Sequence, residues 1–137
     1  TAAGQKIGVS VCYEDAFGEE IIRALPVATL LVNVSEDAWF GNSLAPHQRI
    51  QMARLRALET GRPMLRAANT GPSVVIRHDG EVIARSPQFE EYVLRATVEP
   101  RQGATLYSRW GNNLVVWLLC GLLAAGFLAM RLGRVSR

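Results

Sequence analysis

Lysine is nearly missing from this chain. Fourteen arginines face a single lysine, Lys6, in 137 residues, and the formal net charge is only +3. So mild and scattered an excess excludes the basic stripe, interleaved with aromatics, by which single-strand binders hold nucleic acid. Histidine occurs twice, as His47 and His78, and neither has a second His or Cys at a zinc-like spacing. No metal site and no cofactor are expected. Cysteine also occurs twice. Cys120 lies inside a long apolar run, so no bridge to Cys12 is expected, and two unpaired thiols say little about compartment. Internal repeats and low-complexity segments are missing. So are a Met at position 1 and a signal peptide, and a strand begins almost at once. The expectation is a C-terminal part of something larger, with partner residues upstream. The length suits one domain.

What is present centres on Ile7-Gly-Val-Ser-Val-Cys-Tyr-Glu-Asp15. Ile7, Val9 and Val11 alternate with small residues, the period of a buried strand. The apolar run stops at Cys12. Glu19 to Leu25 then reads as a helix with acids in its first turn, where they suit the dipole. Cys12 therefore sits where a strand hands over to a helix. That position exposes a side chain at the carboxyl end of a sheet, beside unpaired backbone N–H groups. A nucleophile needs both access and oxyanion donors. The plainer alternative is a small buried residue, as most free cysteines are.

Ala28 to Val34 is a continuous apolar run, as expected of a strand covered on both faces of a parallel sheet. With the first strand it makes a βαβ unit. The loop Ser35-Glu-Asp-Ala-Trp-Phe-Gly41 carries Trp39 and Phe40. Loops at this end of an α/β sheet bind ligands, and the two rings either line a site or cap the core. Pro46 to Gly61 reads as a helix from its length and its ends. Its arginines are expected to be solvated or paired with acids. Met64 to Gly71 contains a short strand. Ser73–Arg77 and Glu81–Arg85 flank Asp79-Gly80, a strong hairpin signal. Tyr92 to Val98 alternates and predicts a final strand.

From Arg101 the character changes. Residues 101–113 read as a linker. Leu114 to Met130 then carries no charge, and at 1.5 Å per residue its 17 positions reach about 26 Å, near the hydrocarbon thickness of a bilayer. This predicts a transmembrane helix over 114–130, with Tyr107, Trp110 and Trp117 as interfacial aromatics. Arg131, Arg134 and Arg137 mark 131–137 as a cytoplasmic basic tail, which puts the α/β part on the other side of the membrane.

Gly8-Val-Ser-Val-Cys-Tyr-Glu14, Asn33 to Gly41, Gln51 to Glu59 with Arg62-Pro63, and Asn69-Thr-Gly71 resemble the C-terminal part of the apolipoprotein N-acyltransferases. These form a family within the nitrilase-like (carbon–nitrogen hydrolase) superfamily. The resemblance implies an α/β fold: the C-terminal half of a nitrilase-like αββα sandwich over 1–100, followed by one transmembrane helix. It implies a bacterial inner-membrane enzyme with its catalytic domain on the periplasmic side. It implies ping-pong transfer of an acyl chain from a phospholipid donor to Cys12 as a thioester. The chain then passes to the N-terminal amine of a diacylglyceryl-lipoprotein acceptor. Cys12 falls on the family's nucleophile, and Tyr13 and Glu14 on two further active-site positions. Trp39, Phe40 and Asn69 are the expected substrate-binding residues. The family's general-base glutamate and its lysine lie upstream of the nucleophile, in a region this chain does not contain. The isolated chain is accordingly expected to be inactive. A membrane-anchored amidase and a non-catalytic anchored domain are the alternatives.

Overall fold

The computed structural model describes residues 4–135. Its centre is one mixed five-stranded sheet in the order β1-β2-β3-β4-β5. The strands are β1 (Ile7–Val11), β2 (Leu30–Ser35), β3 (Met64–Ala68), β4 (Val74–Ile76) and β5 (Val82–Arg85). β1, β2 and β3 run parallel, and β4 and β5 add antiparallel at the far side. A 3-10 turn at Cys12–Ala16 and the short helix α1 (Gly18–Ile21) follow β1. Helix α2 (Ala45–Thr60) crosses from β2 to β3, which gives the parallel pair its long connection. Pro46 opens α2, and Gly61 closes it at φ +63°, a left-handed conformation glycine adopts freely.

Strand register sorts the side chains by face. Gly8, Ser10, Leu31, Asn33, Met64 and Arg66 share the face that α2 covers, and all are buried. The core there is Ile21, Leu31, Ile50, Ala53, Ala57, Met64, Val74 and Ile76. At Gly8 a Cβ would come within 2.9 Å of Ala24, in the turn that follows α1, and of Leu31 on β2, so the close packing there needs glycine. The other face is open. Val9 is 66% exposed, and Val11 and Val34 are exposed beside it. The expectation that β2 would be covered on both faces is therefore corrected, and in β1 the small residues Gly8 and Ser10 are buried rather than Val9 and Val11: among the described residues a helix layer covers one side of the sheet only.

A second correction concerns Tyr92 to Val98, which forms no strand. Period-two alternation makes a strand only where an edge accepts its hydrogen bonds. This stretch joins no ladder. It leads to Arg101, whose N–H donates to the Thr29 carbonyl at 3.0 Å. The expected linker is partly helical, with α3 at Leu106–Trp110 capped by the Thr105 hydroxyl on the Ser108 N–H. Helix α4 (Asn113–Val135) runs beyond the predicted 114–130 span and takes in the start of the predicted tail. Arg137 lies outside the described residues. Within α4, Asn113–Arg131 is long and apolar enough to cross a membrane, and none of it is buried in the fold.

Candidate active site

Cys12 is one of two non-glycine residues with positive φ among the described residues, at +50°. A left-handed backbone at a residue with a Cβ costs about 1–2 kcal/mol, so its surroundings must hold it there. They do so through the Cys12 carbonyl. Asn33 Nδ2, from the end of β2, donates to it at 3.1 Å. Arg49 Nη2, from α2, donates to it at 2.5 Å. The same Asn33 amide donates to the Ser10 hydroxyl at 3.0 Å and so ties β1 to β2 just before the turn. Glu14 Oε2 accepts from the Val11 N–H at 2.7 Å, closing the turn from its exposed side. Glu14 is thus a turn-closing acid in this structure. The Cys12 thiol is unpaired and half-buried.

Beneath the turn lie two buried ion pairs. Arg49 donates to Asp15 Oδ1 at 2.8 Å, and Arg66 donates to both Asp37 oxygens at 3.0 Å. Arg66 Nε also approaches Asp15 Oδ2 at 3.9 Å, which links the two pairs. Two acids and two arginines leave this cluster without net charge. A buried charge is strongly destabilising once its paired partner is removed. Burial pushes the Asp15 carboxyl above its ordinary value, against the pull of Arg49, then Arg66. The Tyr13 ring extends the arrangement outward. Arg49 lies 5.0 Å from its centroid, a cation–π contact, and Phe17 packs edge-on at 5.9 Å.

The loop after β2 is held by the same pairs. Asp37 is fully buried, bonded by Arg66 and by the Ser35 hydroxyl at 2.8 Å. Asn69 accepts from the Asp37 N–H at 3.0 Å and donates to Glu36. Its amide is thereby engaged in latching the loop. At Gly71 a Cβ would meet Asp37 Cβ at 3.0 Å, so glycine lets the two loops close. The latched loop presents Trp39, 89% exposed, and Phe40, 37% exposed, on a 3-10 turn. Trp39 caps no core among the described residues.

Sequence reasoning placed Cys12, Tyr13 and Glu14 together, as three consecutive residues must be. It missed Asn33, Asp15, Arg49, Asp37 and Arg66. A polar residue inside an apolar strand run was the available signal for Asn33 and Arg66. Lys6 sits before β1 and Cys12 after it, about 20 Å apart along the strand. No lysine among the described residues therefore stands beside the thiol.

The model of the carbon–nitrogen hydrolase family matches residues 1–106. The chain belongs to the carbon–nitrogen hydrolase family. Among curated relatives of this family member, the apolipoprotein N-acyltransferase of Nitrosomonas europaea is 53% identical over 132 residues, 96% of this chain and 27% of the relative. That of Methylococcus capsulatus is 48% identical over 95% of this chain and 26% of the relative. The chain spans about a quarter of the length of these relatives. Among solved structures, a carbon–nitrogen hydrolase from Helicobacter pylori G27 superposes with TM-score 0.60 at 19% identity, over 71% of this chain and 41% of that one. The fold is nitrilase-like.

Proposed function

We propose that this chain supplies the nucleophile and the membrane anchor of a lipoprotein N-acyltransferase, with Cys12 as acyl carrier. The observation that carries the proposal is the geometry of Cys12: a thiol on a left-handed turn directly after a parallel strand, its carbonyl held from below. The relatives, named apolipoprotein N-acyltransferases, support a lipoprotein as the acceptor. Relatives about four times as long leave room outside this chain for the base and the lysine that the resemblance implies.

In the proposed first half-reaction the upstream base takes the thiol proton. Cys12 Sγ attacks the ester carbonyl of a phospholipid, and the C–S bond forms as charge moves to oxygen. The tetrahedral species collapses, the C–O bond breaks, and the lysophospholipid alkoxide leaves with the proton held by the base. In the second, the acceptor amine attacks the thioester. The C–N bond forms, the C–S bond breaks, and the amine proton returns to the thiolate. A base beside the thiol matters because an ordinary cysteine is only a few per cent thiolate at neutral pH.

Helix α4 is proposed to cross the bacterial inner membrane, with Arg131 and Arg134 on the cytoplasmic side and the sheet on the periplasmic side. At 1.5 Å per residue, its 19-residue apolar stretch reaches about 28 Å. Glu19 Oε1, just past the Cys12 turn, accepts from the Asn112 N–H at 2.6 Å, at the threshold of α4. This bond links α1 to the start of α4 and supports a reading in which Cys12 lies close to the lipid surface. Tyr13, Trp39 and Phe40 are proposed to meet the acyl chains.

The test is intact-protein mass spectrometry of the full-length, membrane-extracted protein incubated with phospholipid and no amine. A gain of one acyl chain, released by hydroxylamine and missing in Cys12→Ser, is the expected result. An unacylated protein that hydrolyses soluble amides would instead favour an amidase. The same strand-to-turn cysteine serves both chemistries, and an amidase from Nesterenkonia sp. shares the fold, at TM-score 0.52 and 21% identity over 69% of this chain and 38% of that one.

A further inference from the structure

Two donors converge on one carbonyl under the candidate nucleophile. Asn33 and Arg49 come from different elements, β2 and α2, and both are buried. They meet at the Cys12 oxygen, 3.1 and 2.5 Å away. Arg49 is kept in place by Asp15 at 2.8 Å, and Asn33 by Ser10 at 3.0 Å. Local folding of a 3-10 turn does not require any of this, because its first carbonyl bonds within the turn.

The consequence lies on the other side of the same peptide unit. A trans peptide plane is rigid, and its C=O and N–H point in opposite directions. Pinning the Cys12 carbonyl inward turns the Tyr13 N–H the opposite way, away from the buried Asn33 and Arg49. Among the described residues that N–H has no acceptor outside its own turn. We propose that Asn33 and Arg49 are positioning residues for acyl transfer: by pinning the Cys12 carbonyl they aim the Tyr13 N–H at the oxygen of the carbonyl that Cys12 attacks. The proposal rests on Cys12 being the nucleophile. It assigns the two side chains no contact with substrate.

The test compares two reactions of the same thiol in the full-length protein. p-Nitrophenyl butyrate acylates Cys12 through a tetrahedral oxyanion, releasing nitrophenolate. Iodoacetamide alkylates it at a saturated carbon, and no oxyanion forms. In Asn33→Ala and Arg49→Met, acylation is expected to fall about tenfold or more while alkylation stays within about threefold, because a misaimed oxyanion donor harms only the first reaction. Arg49→Lys keeps a cation beside Asp15 and is expected to recover part of the loss. It also decides the question if the truncations unfold, since it must still lower the acylation-to-alkylation ratio below wild type. Rates that fall together, or a ratio that does not move, overturn the proposal. Phospholipid in place of the nitrophenyl ester separates this from the function itself. Wild type acylated by the ester but never by phospholipid would sink the transferase while leaving the positioning role intact. Wild type that alkylates yet accepts no acyl group from either would sink both.

Discussion

Arg49 Nη2 lies 2.8 Å from Asp15 Oδ1, with both side chains shut away from solvent. This pair joins helix α2, which covers one face of the sheet, to the turn that carries Cys12. Its partner pair, Arg66 with Asp37, joins the central strand β3 to the loop that carries Trp39. The two candidate ligand-facing segments are therefore set by one charge-balanced cluster beneath them.

Removing Asp15 leaves Arg49 without its carboxylate in a buried site. Breaking a buried pair in this way costs about 3–5 kcal/mol. Asp15→Ala is expected to lose that much in urea unfolding of the membrane-extracted protein. The exposed Arg23–Glu20 pair provides the contrast, and Arg23→Ala is expected to change stability by at most about 1 kcal/mol. Equal losses in the two variants would contradict the role given to the buried cluster.

Gly71 is predicted to be intolerant of a single methyl group. Its Cβ would press on Asp37, whose carboxylate has no slack between Arg66 and Ser35. Overpacking of this kind costs about 1–3 kcal/mol. Gly71→Ala should lower the melting temperature. It should also change the fluorescence of Trp39, whose loop Asp37 holds. A variant with unaltered melting would show that Asp37 moves aside freely.

Asp79 in the β4–β5 turn should titrate low. Its hydrogen bonds from Arg77 hold it at about 2, below an ordinary aspartate at 3.8. A carboxyl depressed in the folded state stabilises that state above its ordinary value. The stabilisation is lost as pH falls through the folded value. The hairpin should therefore weaken between about pH 4 and pH 2. Carboxyl NMR of Asp79 checks this, and a midpoint near 3.8 would refute it. Arg77→Ala should return the midpoint to that ordinary value.

Helix α4 should fail to insert when its middle is charged. Leu122 is 70% exposed on the helix surface. An arginine at a helix centre costs about 2.5–3.5 kcal/mol of insertion. Isolated as a fusion to a soluble reporter, residues 106–137 should resist alkaline carbonate extraction. Leu122→Arg should be extracted. Retention of both in the pellet would argue against insertion by α4.

The sequence by itself determined the elements whose cause is local. Alternating Ile7, Val9 and Val11 made β1, Pro46 and Gly61 bounded α2 to within a residue, and Asp79-Gly80 turned the hairpin. An uncharged run made α4. Each depends on neighbours a few residues apart, which is the range over which backbone propensity and periodicity act. Cys12 was also legible, because a strand that ends on a thiol is a local fact.

The tertiary structure alone decided what lies at long range. Arg49 meets Asp15 across 34 residues and Arg66 meets Asp37 across 29. No spacing rule encodes such pairs; they follow from parallel register, which places Asn33 opposite Ser10 and Arg66 on the same buried face. The failure at Tyr92 to Val98 has the same origin. Its alternation was sufficient for a strand, but a strand exists only in a ladder, and which edge is free is a property of the assembled sheet. The left-handed backbone of Cys12 belongs here too. Nothing in Val-Cys-Tyr favours positive φ, and the two donors brought in by β2 and α2 help to hold it.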